Sequence, residues 1–357
     1  MTSMERPNGP AHASLRVMPS RRCEASGRRA GGMALVCTVL AASLLFLAAP
    51  ACHAQQSAPP KRPQVWMMPS PWPGNGASMK ELLTREGEWA QTRALVNGFG
   101  YWPSLLYVHF SDAEIRTFFE KAHAWKLPVN IEVEVLKKEY PTARKALDHL
   151  EDCIKRFRPL GFHADLFSFD EPFYNAKHVM SMPDADAVRE VVEFMRSLQA
   201  TYQGARTCLI EPYPAFAKDD ILAAVGKLQA ACRLAGIKGI DTLRLDVDWC
   251  AMGNWLMGSW REVKQIEDAC HKLGIRFSLI CWAADYPMLK EKGLATDLTW
   301  YVGAMHTYSA YIAAGGAPDE IMVESWVHVP EHAVPETAMN TFTRSVLDLA
   351  RVVKGTK

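Results

Sequence analysis

Carboxylates recur at the ends of apolar runs in this chain: Glu132 and Glu134 close one run, Asp170 and Glu171 a second, Glu211 a third, Asp246 and Asp248 a fourth, and Glu324 a fifth. Acidic side chains are depleted from protein interiors unless they are paired or put to use. A single acid so placed serves equally well to cap the next helix or to bind an arginine such as Arg244; five runs ending alike point to a shared acidic site. Crowded carboxyls in a partly dry site push one another's pKa values apart, which keeps one protonated while another is ionised. Acid/base cleavage of an acetal needs that combination. The sharpest instance is the stretch 164–172, Ala-Asp-Leu-Phe-Ser-Phe-Asp-Glu-Pro. Side chains alternate faces along a strand, so one of Asp170 and Glu171 is expected to aim inward and the other toward a neighbour. Pro172 has no N–H to donate and ends the ladder.

Aromatic residues accompany the acids. Trp66, Trp72, Trp102, Trp249, Trp282 and Trp326 fall at or just past the same run ends, with Phe173, Tyr174 and Tyr213 beside them. A flat apolar face with a polar edge suits the stacking of sugar rings. The competing role is to plug the end of the fold.

The elements that must hold these residues alternate. Strands are expected at 65–68, 94–101, 129–135, 164–170, 207–212, 242–249, 276–282 and 320–326, with 105–110 a strand extension or loop strand. Helices are expected at about 79–93, 111–125, 142–157, 185–202, 219–235, 260–273 and 336–353. Ser111 and Glu114 spell a capping box for the second of them, and Pro335 is read as opening the last. Eight strands separated by helices, with acids at the C-terminal strand ends, predict an α/β chain folded as a (β/α)8 TIM barrel in one domain, 64–357. A doubly wound sheet would carry a Gly-rich turn after its first strand, and Pro69-Ser70-Pro71-Trp72 is unlike one.

The 357 residues are 49% apolar with a formal net charge of +1, which favours neither disorder nor nucleic-acid binding. Residues 33–51 are the one long apolar stretch, preceded by Arg21, Arg22, Arg28 and Arg29 and followed by Cys52-His53-Ala54. This order predicts a secretory signal over 1–54 cleaved after Ala54, a linker over 55–63, and a secreted or periplasmic mature protein free of the membrane. An uncleaved anchor is the alternative, since the run approaches spanning length; a lipoprotein signal at Cys52 is another. Cleavage leaves Cys153, Cys208, Cys232, Cys250, Cys270 and Cys281, whose spacing suggests no disulfide framework. No Cys-x-x-Cys or His-Glu-x-x-His run is present, so no metal or other cofactor is expected.

Through Asp170-Glu171-Pro172, Glu211-Pro212, Asp246-Val247-Asp248-Trp249 and the tail Glu324-Ser325-Trp326…Pro330…Pro335-Glu336…Thr341-Phe342-Thr343, nearly the whole mature chain resembles glycoside hydrolases of TIM-barrel fold. In their largest clan, strand four ends in Asn-Glu-Pro, whose glutamate is the acid/base, and strand seven ends in a nucleophilic glutamate. The resemblance implies the acid/base role for Glu171. The chain departs from that pattern where Asp170 replaces the asparagine and strand seven ends in Cys281-Trp282. It looks closer to glycosidase-like barrels of bacteria, a poorly characterised group. The expected site has Glu171 as acid/base and Glu211 or Asp248 as its partner. Asp170, Asp246 and Glu324, with Trp249, Trp282, Trp326 and Tyr213, would bind a poly- or oligosaccharide. Two other functions fit the same residues: a non-catalytic carbohydrate-binding barrel, or a metal-dependent sugar isomerase or epimerase drawing ligands from Glu211, Asp246, Asp248, Glu324, His306 or His328.

Overall fold

Apolar residues on both faces of short strands, each followed by a helix, can be buried only if the strands line up in parallel with helices over them. In the computed structural model, which describes residues 62–71, 75–248, 252, 258–283 and 293–356, eight parallel strands close in sequence order into a barrel. They are β1 (Gln64–Met68), β2 (Gly98–Tyr101), β3 (Val129–Glu134), β4 (Leu166–Asp170), β5 (Arg206–Tyr213), β6 (Thr242–Val247), β7 (Arg276–Cys281) and β8 (Glu320–Glu324). The seam is β1 on β8, with Gln64 opposite Glu320 and Met68 opposite Glu324. The expected TIM barrel is the observed fold.

Alternate residues face the barrel axis and fill it. Trp66 lies across β2, where Gly98 leaves it room: a Cβ there would stand 2.2 Å from the indole. Arg206 covers the same ring, 5.5 Å from its centroid. Trp66 is fully buried in this packing and has no place at the acidic end. Asn130 donates to the Ser168 hydroxyl across β3 and β4 (3.1 Å). Arg244, also inside the barrel and fully buried, donates to Ser278 and to Glu320, each at 3.3 Å, and Glu320 also meets Arg276 at 3.3 Å. Two arginines thus neutralise one buried carboxylate at the N-terminal end of the barrel interior, as burial of charge requires.

The described helices are α1 (Ala77–Thr84), α2 (Ala90–Leu95), α3 (Pro103–His109), α4 (Asp112–Trp125), α5 (Ala143–Phe157), α6 (Pro172–Tyr174), α7 (Asp184–Thr201), α8 (Lys218–Leu234), α9 (Trp260–Lys272), α10 (Asp297–Ala313) and α11 (Phe342–Lys354). Ser111 and Glu114 form the expected capping box on α4. Four expectations change. The helix foreseen over 79–93 breaks at Arg85 into α1, a 3-10 turn and α2, so β2 begins only at Gly98. The segment 105–110 is helical, opened by Pro103 in its first turn. Helix α10, which the sequence did not announce, fills the gap before β8. The last helix starts at Phe342 behind a Thr341 cap, because the segment before it is spent otherwise. There the Glu336 carboxylate accepts from the Gln91 and Thr92 amides (3.1 and 2.8 Å) at the start of α2. Glu81 in turn accepts from the Ala333 amide at 2.7 Å and faces His332 Nδ1 at 2.9 Å. Two carboxylates therefore stitch the stretch after β8 onto the first two helices. Cys153, Cys208, Cys232, Cys270 and Cys281 are free and buried; Cys250 and residues 1–61, with the expected leader and most of the linker, lie outside the described residues. None of the described helices is long and apolar enough to cross a membrane.

Candidate active site

Strand alternation puts Asp170 on the inner face at the end of β4, where its carboxylate meets the Lys137 ammonium at 2.5 Å. Glu171 has already left the strand: its φ of 50° and ψ of 41° lie in the left-handed region, so the expected choice between the two acids does not arise. The turn is pinned on both sides. The Glu171 amide donates to the Ile210 carbonyl of β5 (3.1 Å), while the Glu171 carbonyl accepts from the Asn175 amide (3.0 Å) and side chain (2.7 Å). Both acids of the pair stand at the barrel mouth. Burial first, then the Asp170 charge, pushes Glu171 up to about 7, against the pull of Lys137. Burial would lower the Lys137 ammonium, but the Asp170 and Glu171 charges outweigh it and hold it protonated.

Around this pair stand further carboxyls; Glu134, opposite Asp170 at the end of β3, is raised by desolvation and the Asp170 charge. Glu132 on β3 accepts from the Trp102 indole N–H at 2.8 Å, and its other oxygen is buried without a hydrogen-bond partner. Burial and the Asp170 charge push it up to about 8, although the Trp102 bond opposes them. Asp246 on β6 accepts from the Trp282 indole N–H at 2.7 Å. Burial and then the Glu171 charge hold it well above the ordinary carboxylate range. Glu324, ending β8 at 1% exposure, is raised by burial and the Glu132 charge against the pull of Arg244. The Trp282 ring packs on Trp326 with centroids 4.1 Å apart and planes inclined by 43°. Glu132 and Asp246 are thus each oriented by an indole and Asp170 by an ammonium, with the packed Trp282 and Trp326 rings beside Asp246.

Other expected members stand elsewhere. On β5 the inner-face position belongs to Ile210, so Glu211 points outward into the helical layer. There it is fully buried, its two oxygens accepting from the Phe173 and Tyr174 amides at 2.9 and 3.0 Å. Tyr213 is buried with its hydroxyl donating to Glu262 and accepting from the Ser259 amide at 2.9 Å, which ties β5 to the start of α9 and turns the ring away from the mouth. Asp248 follows β6 at the rim, half-buried, its amide donating to the Tyr213 carbonyl at 2.8 Å. Trp249 and Trp72 lie outside the described residues. His306 and His328 are exposed, and among the described residues no three His, Cys, Asp or Glu side chains are gathered as metal ligands. Sequence reasoning missed Lys137, which sits in a loop after β3 with no motif around it.

No protein family matches this chain, and no curated protein does. Among solved structures, a GH10 endoxylanase from a sugarcane soil metagenome is similar at 9% identity, covering 81% of this chain and 97% of that one with a TM-score of 0.47. A thermostable mutant of a Cellvibrio japonicus xylanase is similar at 10% identity, over 82% and 98% of the two chains and a TM-score of 0.47. So is an aldo-keto reductase of the silkworm Bombyx mori, at 11% identity over 80% and 78% with a TM-score of 0.45. The likeness is one of barrel architecture and names no activity.

Proposed function

We propose that the chain is a glycoside hydrolase that cleaves a poly- or oligosaccharide at the mouth of its barrel, exported after removal of residues 1–54. One arrangement carries the reading: Glu171, a carboxyl that burial and the Asp170 charge push up to about 7, stands next to an aspartate ion-paired with a lysine. A donor for the leaving oxygen and an anion able to face the developing oxocarbenium charge are thereby present together. Glu171 is the general acid. Glu211 has both oxygens engaged outside the mouth and Asp246 is held toward its protonated form, so the second carboxylate comes from Asp248 or Asp170, with Asp246, Glu132 and Glu324 hydrogen-bonding sugar hydroxyls. Trp282 and Trp326 offer stacking faces, and the resemblance of Asp170-Glu171-Pro172 to the strand-four motif of TIM-barrel glycosidases supports the same assignment. The test is a screen of the purified mature chain against a broad polysaccharide panel, repeated with Glu171→Gln. Release of reducing ends by the parent and not by the variant is the expected result. Binding of a glycan with no turnover by the parent would make the barrel a carbohydrate-binding protein instead, and chelator-sensitive turnover would point to a metal-dependent isomerase.

A further inference from the structure

We infer that Glu211 is a positioning residue: its carboxylate, bridging the amides of Phe173 and Tyr174, holds Glu171 in the left-handed turn that delivers it to the barrel mouth. The inference rests on the reading of Glu171 as the acid. A non-glycine residue with positive φ is held only when its surroundings over-determine it. Here β5 supplies both halves of the grip, since Ile210 receives the Glu171 amide and the next residue, Glu211, receives the two amides that follow Pro172. The position argues the same way. Glu211 sits on the outer face of β5 at 0% exposure, where an apolar side chain would pack without the several kcal/mol that burying a carboxylate costs. Its hydrogen bonds run only to backbone one turn beyond Glu171. Burial, helped by the Glu171 charge, holds this carboxyl well above the ordinary carboxylate range, although the two amides pull it toward its ionised form; the grip rests on the geometry of the two bonds.

Glutamine at 211 offers one acceptor and turns its own N–H group against the second amide; aspartate keeps the carboxyl group but falls a methylene short. Alanine removes the grip altogether. The groups facing Glu171 are Asp170, Lys137, Asp246, Tyr174 and Glu211, of which only the last is substituted in these variants. The experiment is a carbon-13 titration of glutamate-labelled mature protein, with the Glu171 carboxyl assigned by its loss in Glu171→Gln. The midpoint near 7 should fall by a unit or more toward the ordinary value of about 4.3 in Glu211→Ala and Glu211→Asp. A midpoint unchanged in folded variants overturns the inference. Should those variants fail to fold, hydrogen exchange of the unmodified protein decides: Phe173 and Tyr174 amides protected roughly a hundredfold or more support the grip, and exchange at the rate of an open chain overturns it. On a substrate found by the screen, Glu211→Gln should lower kcat about 10–100-fold with KM little changed, and less on aryl glycosides that leave without a proton. A loss equal on both substrate types overturns the positioning role. The titration and exchange need no substrate, so failure of the grip is distinguishable from failure of the hydrolase reading, which would appear as a parent protein inert on every glycan.

Discussion

Glu171 and Glu132 hold their protons to about 7 and about 8 for one reason: each is buried near the Asp170 charge, and Lys137 is too closely engaged with Asp170 to offset both. For Glu171 this has a kinetic consequence. Glu171→Gln keeps nearly the same volume and loses the transferable proton, so turnover on unactivated glycosides should drop about 10²–10⁴-fold with the melting temperature little changed. In the parent, kcat/KM should fall as pH rises through about 7; a profile flat to pH 9 would remove Glu171 from the acid role. For Glu132 the consequence is stability. The folded chain binds this proton more tightly than the unfolded chain, so the contribution is full below the unfolded pKa of about 4.3 and is lost as pH rises through about 8. Glu132→Gln escapes that loss. Its melting temperature relative to the parent should therefore rise from pH 5 to pH 9, and a pH-invariant difference would contradict the raised pKa.

At the scale of elements, β2 is thin so that β1 can be thick. Gly98→Ala would drive a methyl into the Trp66 ring and should cost about 1–3 kcal/mol or more in denaturant unfolding, as overpacking does. Stability equal to the parent would mean the ring has room to move. Trp282 and Trp326 follow the ends of neighbouring strands β7 and β8, and Trp326→Ala should weaken oligosaccharide binding by roughly 1 kcal/mol, read by calorimetry. Unchanged affinity with a lowered melting temperature would assign the pair to packing. Elements of this kind were legible where period and punctuation agreed: the strand ending at Asp170 has a single face pattern and a proline stop, and α4 has its capping box. Short apolar runs misled, since 105–110 fits a strand and a helix equally, and Pro103 was the better signal. Helix α10 hid because it carries one acid and aromatic residues on several sides, which leaves no clean stripe. Glu211 looked like its rim companions because Leu209, Ile210 and their neighbours are apolar on both faces, so nothing in the composition of β5 says which side the acid takes. Lys137 needed the third dimension.

For the whole molecule, the acidic mouth and the leader belong to one proposal, and the leader has its own check. Material recovered from the periplasm or medium should begin near Gln55 on N-terminal sequencing, and a product retaining residues 33–51 would favour the anchored form. The seam of the barrel bears on the same journey. Each strand from β2 to β7 can pair with the one before it as soon as it is made, but β1 keeps one bare edge until β8, the last strand synthesised, arrives to cover it. The two carboxylate stitches from Glu81 and Glu336 come later still, when the chain beyond β8 has been produced. For most of its synthesis the polypeptide is therefore an open ribbon with a strand edge on offer. Under the proposed export, that interval is the one in which the chain has not yet closed on itself and still fits through a channel as an extended strand.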